Sequence, residues 1–256
     1  MSRALYLPMH QPLRRMLLRE WRFLLLASAT LLAALTPATY EAPVRRAMAQ
    51  ALCVSAWQVL PGYALLTMLF GAAATHIVAV TAASYGLSHL ALEAVVRVLV
   101  VELIPLAAAL FVAMRSGMAM LTRLAALRAQ GVDLCRPAVF DQQVLPGVVG
   151  NFFAVVLLTL MSGTLVLCVG YLVVFGLTPW GLSGFTHLVG QVFDPVTAPG
   201  LLLKIALFAA AVGIAPATLV LDPARRVAVG SDMRITARLF LMLAFIEAAA
   251  LILLHF

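Results

Sequence analysis

Ionisable and helix-distorting residues occur inside two apolar runs of this chain. Glu102 and Pro105 lie in the run of residues 92–114, and Glu247 lies in the run of residues 235–256. A carboxylate at membrane depth must face protein or water, and it marks a candidate site for cargo, ions or protons. Pro105 removes the helix hydrogen bond to the carbonyl of residue 101, which leaves a polar acceptor close to Glu102. The structural alternative is a hydrogen-bonded glutamate that packs against a neighbouring helix.

The composition predicts that these runs belong to a polytopic membrane protein. Hydrophobic residues make up 64% of the 256 residues and charged residues only 11%, whereas a soluble domain carries about a quarter charged residues. The net charge of +7 does not indicate nucleic-acid binding, because nearly all arginines fall in short clusters between apolar runs. The three cysteines are far apart and in no CxxC spacing. They predict neither a disulfide nor a metal site.

The apolar runs predict an all-α integral membrane protein with five transmembrane helices. The predicted spans are residues 51–83, 92–114, 146–175, 198–221 and 235–256. The apolar part of residues 9–36 is too short for an ordinary span. We expect these residues to form a helix that lies in the cytoplasmic interface. A re-entrant half-span is the alternative. The distribution of arginines places the N-terminus in the cytoplasm and the C-terminus outside. Lys204, in the fourth span, is expected to extend outward to the headgroups.

The largest predicted cytoplasmic insertion lies between the second and third spans. Residues 118–128 have helical spacing, with Arg123 and Arg128 on the polar side, and Gly131 is expected to end this helix. A surface helix is the structural interpretation, and a docking helix for a cytoplasmic partner is the functional one. The chain contains no Walker A, HExxH or GxSxG pattern. We therefore expect a non-enzymatic chain whose energy source, if ATP, is hydrolysed by another subunit.

Residues between the second span and this helix follow an ordered pattern. The pattern is Glu102-Leu103-x-Pro105, Ala108-Ala109-Leu110, Ala113-x-Arg115-x-Gly117-x-Ala119 and Leu127-Arg128-Ala129. It resembles the ELGPV, AALL, AG-R-x-G-x-A and MRAT elements of the MlaE (YrbE-like) permease family, the membrane subunits of ABC transporters that work with Mce-domain proteins. Ile104 and Met114 stand where this family usually has glycine. Arg123 and Gly131 stand where it usually has acidic residues.

The resemblance implies a single permease domain over residues 1–256 and a homodimer in the bacterial inner membrane, with the C-terminus periplasmic. It implies a cytoplasmic ABC ATPase that binds the ATP, a periplasmic Mce-domain partner, phospholipid cargo and no cofactor of the chain's own. The first, second and fifth spans would line a lipid cavity near the two-fold axis, with Leu65, Leu66, Leu69, Phe70, Glu102, Pro105 and Glu247 as its residues. The cytoplasmic helix would couple the chain to the ATPase, with Arg115, Gly117, Arg123, Leu127 and Arg128 as its residues.

Two alternatives from other functional classes stay open. An ion-coupled secondary transporter would use Glu102, Glu247 and His76, and it would move its substrate without an ATPase. A non-transporting membrane anchor for an Mce-type complex is favoured by the altered cytoplasmic helix. Recovery of an ATPase with the purified chain, together with mass spectrometry of bound lipid, would separate these readings.

Overall fold

The computed structural model describes residues 60–86, 88–134, 136–195, 197–221 and 232–255, together with residues 46, 49–51 and 53. All regular structure in these residues is helical, which confirms the predicted all-α class. The predicted interfacial helix of residues 9–36 lies outside the described residues. Most of residues 51–59, at the start of the first predicted span, also lie outside them.

The α-helices of the described part follow one another with short connections. They are α1 (Leu60–Ser84), α2 (Ser88–Val95), α3 (Ile104–Val112), α4 (Met118–Ala129), α5 (Pro137–Val139), α6 (Leu145–Phe175), α7 (Leu182–Val192), α8 (Thr197–Leu221) and α9 (Asp232–His255). A short 3-10 helix, Pro179–Gly181, precedes α7. Leucine, alanine and valine dominate the long helices, and in lipid such segments form helices because every backbone polar group must be satisfied internally.

Three π-helical segments join or extend these helices. They are π1 (Val96–Leu103), π2 (Ala113–Gly117) and π3 (Phe140–Val144). At the end of π1 the Ile104 N–H donates to the Leu99 carbonyl, five residues earlier. The β-branched residues of π1 and the missing N–H of Pro105 both disfavour a regular α-helix at this point. As a result, α2 to α4 form one helical run with two wide turns.

Four helical stretches are long and apolar enough to cross a membrane by length and composition. They are Leu60–Ser84, Leu92–Ala129, Phe140–Phe175 and Thr197–Thr218. They correspond to the first four predicted spans, so the chain is an integral membrane protein. The second helical run continues to Ala129, well past the predicted end of the span at residue 114. Helix α9 contains a shorter apolar stretch, Leu239–Ile252, and the fifth span stays a prediction.

Helix α6 is the central element of the bundle and packs against α1, α3 and α8. Glycines of α1 and α8 permit close contacts with α6. A Cβ added at Gly71 of α1 would lie 2.9 Å from Val166 Cγ2, and one at Gly213 of α8 would lie 2.8 Å from the Val148 carbonyl oxygen. Helix α9 packs against α8 and α3. The tight crossings are typical of membrane bundles, in which small residues let helices approach closely.

The end of α4 confirms the role predicted for Gly131. This residue has φ +79°, a conformation that costs a residue with a Cβ. Its N–H donates to the Arg128 carbonyl at 3.0 Å, and the Val132 N–H donates to the Leu127 carbonyl at 3.2 Å. This pair of bonds is the Schellman motif, which satisfies carbonyls at a helix end.

Candidate functional site

An apolar cavity of about 320 Å³ lies between α1, the π1–α3 junction and α6. Its lining residues are Tyr63, Leu66, Thr67, Phe70, Gly71, Leu99, Leu103, Ile104, Ala107 and Val166. The hydroxyl of Thr67 donates to the Tyr63 carbonyl of its own helix at 3.0 Å, so this polar group is satisfied within α1. The cavity therefore suits a hydrocarbon chain rather than a polar ligand.

The structure divides the four cavity residues predicted on α1 into two pairs. Leu66 and Phe70 line the cavity. Leu65 and Leu69 lie on the outside of the bundle, with 72% and 70% of their surface exposed. Pro105 is buried in α3, and it is not among the lining residues.

A buried ion cluster brings Glu102 and Glu247 together. The Lys204 Nζ donates to the Glu102 Oε2 and, at 2.8 Å, to the Glu247 Oε1. These three residues come from π1, α8 and α9, so the cluster links three helices. The Lys204 side chain is 0% exposed, and those of Glu102 and Glu247 are 17% and 15% exposed. Charges this deeply buried are stable only when they are paired and hydrogen-bonded.

The carbonyl beside Pro105 completes the coordination of Lys204. Because Pro105 has no N–H, it cannot donate to the Val101 carbonyl as an ordinary residue of an α-helix would. The Lys204 Nζ donates to this carbonyl at 3.3 Å. The ammonium group therefore uses its three donors on two carboxylates and one backbone oxygen. The Phe208 ring, with its centroid 5.9 Å from Nζ, adds a cation–π contact.

The outward position expected for Lys204 is wrong. The side chain is 1% exposed and points into the bundle, because the two carboxylates of neighbouring helices compensate its charge better than a distant headgroup region would. One signal in the sequence could have found it. Lys204 is the only lysine of the chain, since the other sixteen basic residues are arginines, and it lies in an otherwise uncharged apolar helix. A lone cation among such residues is expected to have an acidic partner inside the membrane.

The cavity and the ion cluster share the same short segment at the π1–α3 junction. Leu103 and Ile104 line the cavity, whereas the preceding residue, Glu102, binds Lys204. His76, the third residue of the ion-coupled alternative, is exposed on α1. The structure thus brings together two of the three residues of that alternative.

Helix α4 packs on the bundle by one face. Leu121 and Leu124 are buried with Ile214 of α8 in one apolar cluster, and Leu127 is half-buried beside it. Arg123 is on the exposed side, where its Nη2 donates to the Gln143 Oε1 at 2.9 Å. The leucine face of α4 is therefore buried against the bundle, and Arg123 lies on the exposed face, as the spacing of these residues predicted.

Of the other residues predicted to couple to an ATPase, Arg115 and Gly117 lie in π2 and Arg128 lies in the last turn of α4. Arg115 is exposed, Gly117 is buried close to Pro216 of α8, and Arg128 is half-buried. The Ser116 hydroxyl donates to the Asn151 Oδ1 of α6. Asn151 is 1% exposed, so this bond ties α6 to the segment that leads into α4.

Most of the sequence matches a protein-family profile. The profile described as Permease MlaE covers residues 48–251, which include the cavity, the ion cluster and α4. The chain belongs to the MlaE permease family. A search of curated proteins finds no match. Membership confirms the resemblance drawn from the Glu102–Arg128 pattern.

As a member of this family, the chain is a membrane permease subunit of an ABC-type lipid transporter. Subunits of this kind are generally non-enzymatic, and the family associates with ABC ATPases and Mce-type proteins. The ion cluster and the apolar cavity accordingly lie in a protein whose family handles lipid.

Proposed function

We propose that the chain moves phospholipid, or a similar hydrophobic cargo, between the inner membrane and a periplasmic Mce-domain partner. The observation that supports this most directly is the apolar cavity between α1, π1–α3 and α6. Its volume of about 320 Å³ lies at the low end of the range for ligand pockets. A cavity of this size and lining accommodates part of an acyl chain, while the rest of the lipid extends beyond it.

The surface of α1 supports a homodimer. Only 17% of the residues in the most apolar 18-residue stretch of α1 are buried. In the corresponding stretches of the other three candidate spans, 39–50% of the residues are buried. Leu65 and Leu69 belong to this exposed surface. A second copy of the chain, packed along α1 and α9, would cover it and would enclose the lipid path between the two subunits.

ATP hydrolysis on a separate subunit would supply the energy, and α4 would transmit it. Two contacts make α4 mechanically suited to this role. Leu121 and Leu124 of α4 pack against α8, and Ser116, in the π2 segment that leads into α4, is bonded to Asn151 of α6. A displacement of α4 would therefore move two of the helices that position the cavity and the ion cluster. In this arrangement the N-terminus is cytoplasmic, α9 is the fifth span, and the C-terminus is periplasmic.

A cavity-filling variant tests the lipid site. Ala107→Phe places a ring in the cavity, and Leu202→Phe, at an α8 position that is 61% exposed, is the matched control. Bound lipid is measured by mass spectrometry of the purified protein, and transfer is measured in vesicles that contain the permease, the ATPase and the Mce partner. We expect Ala107→Phe to lower both quantities and Leu202→Phe to leave both unchanged. Normal lipid content and transfer in Ala107→Phe would refute the cavity as the cargo site.

The same vesicles separate the other functional classes. Lipid transfer without the ATPase would support the ion-coupled alternative, which the shared contact of Glu102 and Glu247 with Lys204 keeps open. An Mce-bound chain without lipid or ATPase would support the anchor. A double variant of Arg123 and Leu127 to alanine tests coupling. We expect weaker ATPase association and lower lipid-stimulated turnover, and normal values of both would contradict the role of α4.

A further inference from the structure

We propose that the ion cluster of Glu102, Lys204 and Glu247 is a proton-binding site, and that Glu247 holds the proton. This site would lie inside the membrane and would take its proton from water through the small exposed fraction of the carboxyl groups. It depends only on the burial of the cluster and not on the lipid that the transporter carries.

The charge balance of the cluster is the first argument. Two carboxyl groups share one ammonium group. Within the described residues, Lys204 is the ion-pair partner of both glutamates. If all three groups are ionised, the cluster has a net charge of −1. Burial away from water disfavours a net charge far more than it disfavours a neutral cluster. Binding one proton makes the cluster neutral.

The contacts identify Glu247 as the group that binds this proton. Both glutamates contact Lys204, and Glu247 does so through Oε1 at 2.8 Å. The Glu247 Oε2 is buried and has no hydrogen-bond partner among the described atoms. An ionised oxygen in that position would lack a donor, which is costly. A protonated Oε2 carries no charge and becomes a hydrogen-bond donor instead.

The elements around Glu247 favour a proton over a metal cation. Helix α8 contributes Lys204, π1 contributes Glu102, and α3 carries no ionisable side chain. No group of three or more His, Cys, Asp or Glu residues that could hold a metal occurs in the described part of the chain. Hard metal cations need about six oxygen ligands. Lys204 already occupies the space between the carboxylates and the Val101 carbonyl.

Release of the proton would weaken the contact between α9 and the rest of the bundle. Two ionised carboxylates would then repel each other around a single ammonium group. Because the folded cluster holds a proton that the exposed glutamate of an unfolded chain would lose at neutral pH, the stabilisation is present at lower pH. It is lost as the pH rises through the release of the proton.

Infrared spectroscopy of the full-length protein in lipid nanodiscs tests the assignment. We expect a buried carboxylic-acid C=O band at neutral pH that disappears at alkaline pH. Glu247→Gln should abolish the band, and Glu93→Gln, at a half-exposed position of α2, should leave it intact. Persistence of the band in Glu247→Gln, or its absence from the wild-type protein at neutral pH, would overturn the assignment.

Thermal unfolding provides a second readout with the same proteins. The wild-type unfolding temperature should fall as the pH rises across the range in which the band disappears, and that slope should be smaller in Glu247→Gln. An equal slope in the two proteins, or stability that depends on sodium rather than on pH, would contradict proton binding. If Glu247→Gln does not fold, Glu102→Gln tests the assignment instead. Without the neighbouring negative charge, the carboxylic-acid band of Glu102→Gln should disappear at a lower pH than that of the wild-type protein. An unchanged pH would also overturn the assignment.

Discussion

Replacement of Lys204 by methionine removes the only cation of the buried cluster while keeping a side chain of similar length. Glu102 and Glu247 then face each other without a counter-ion, and the Val101 carbonyl loses its donor. Breaking a buried ion pair by removing one partner costs roughly 3–5 kcal/mol, because the other charge stays buried and uncompensated. Since Lys204 is completely buried and the two carboxylates are 17% and 15% exposed, solvent screening reduces this cost only slightly.

The expected effect is large enough for a thermal unfolding assay in detergent. For a chain of about this size, 1 kcal/mol corresponds to roughly 2–4 °C, so the midpoint should fall by about 6–20 °C. Arg97→Met, which removes an exposed cation from π1, the segment that also carries Glu102, is the control and should change stability by no more than about 0.5 kcal/mol. The triple variant Glu102→Gln, Lys204→Met, Glu247→Gln removes every charge of the cluster, and it should recover most of the lost stability.

Two results would refute this reasoning. A midpoint of Lys204→Met within about 2 °C of the wild-type value would mean that the cluster contributes little to the folded state. A triple variant as unstable as Lys204→Met would mean that the loss arises from packing around the side chain and not from the uncompensated charges.

Three further variants test the packing that positions the site, each by the unfolding midpoint in detergent. Gly71→Ala forces Val166 to move and should lower the free energy of unfolding by about 1–3 kcal/mol. The control, Gly62→Ala, has no atom within 4 Å of the added Cβ and should be close to neutral. Equal effects of the two variants would contradict the close contact between α1 and α6. Asn151→Leu removes the polar link from α6 to π2 and should cost about 1–3 kcal/mol; no loss would mean that the link is not stabilising. Gly131→Val places a β-branched residue at φ +79° and should cost at least about 1–2 kcal/mol, and a neutral result would contradict the Schellman end of α4.

The sequence predicts the helices well because hydropathy over some twenty residues is a local property. It predicts the class of the fold, the first four spans and the glycine that ends α4. It predicts a helix over residues 118–128 but not that this helix continues the second span without a break, because the charge of Arg115 predicts that the span ends at residue 114. The wide turns of π1 and π2 are also missed, because they depend on small differences in backbone hydrogen bonding that composition does not reveal.

In the candidate site, too, the sequence predicts individual residues but not how they meet. Glu102 and Glu247 stand out in the sequence because each is ionisable and lies in an apolar run. Their meeting at Lys204 depends on the relative rotation and depth of three helices, which a single sequence does not contain. Pro105 gave a partial signal, since the unpaired carbonyl at residue 101 follows from its chemistry alone. The donor that satisfies this carbonyl became evident only from the packing of α8 against π1.

The burial of Lys204 also makes the chain its own chemical reporter. An amine-reactive reagent has one side-chain target in this sequence, and in the folded bundle that amine is enclosed by two carboxylates and a backbone carbonyl. Acylation of its ε-nitrogen would therefore measure how often π1, α8 and α9 separate. Labelling rates compared with and without ATP turnover would follow this separation in the native protein, with no engineered probe.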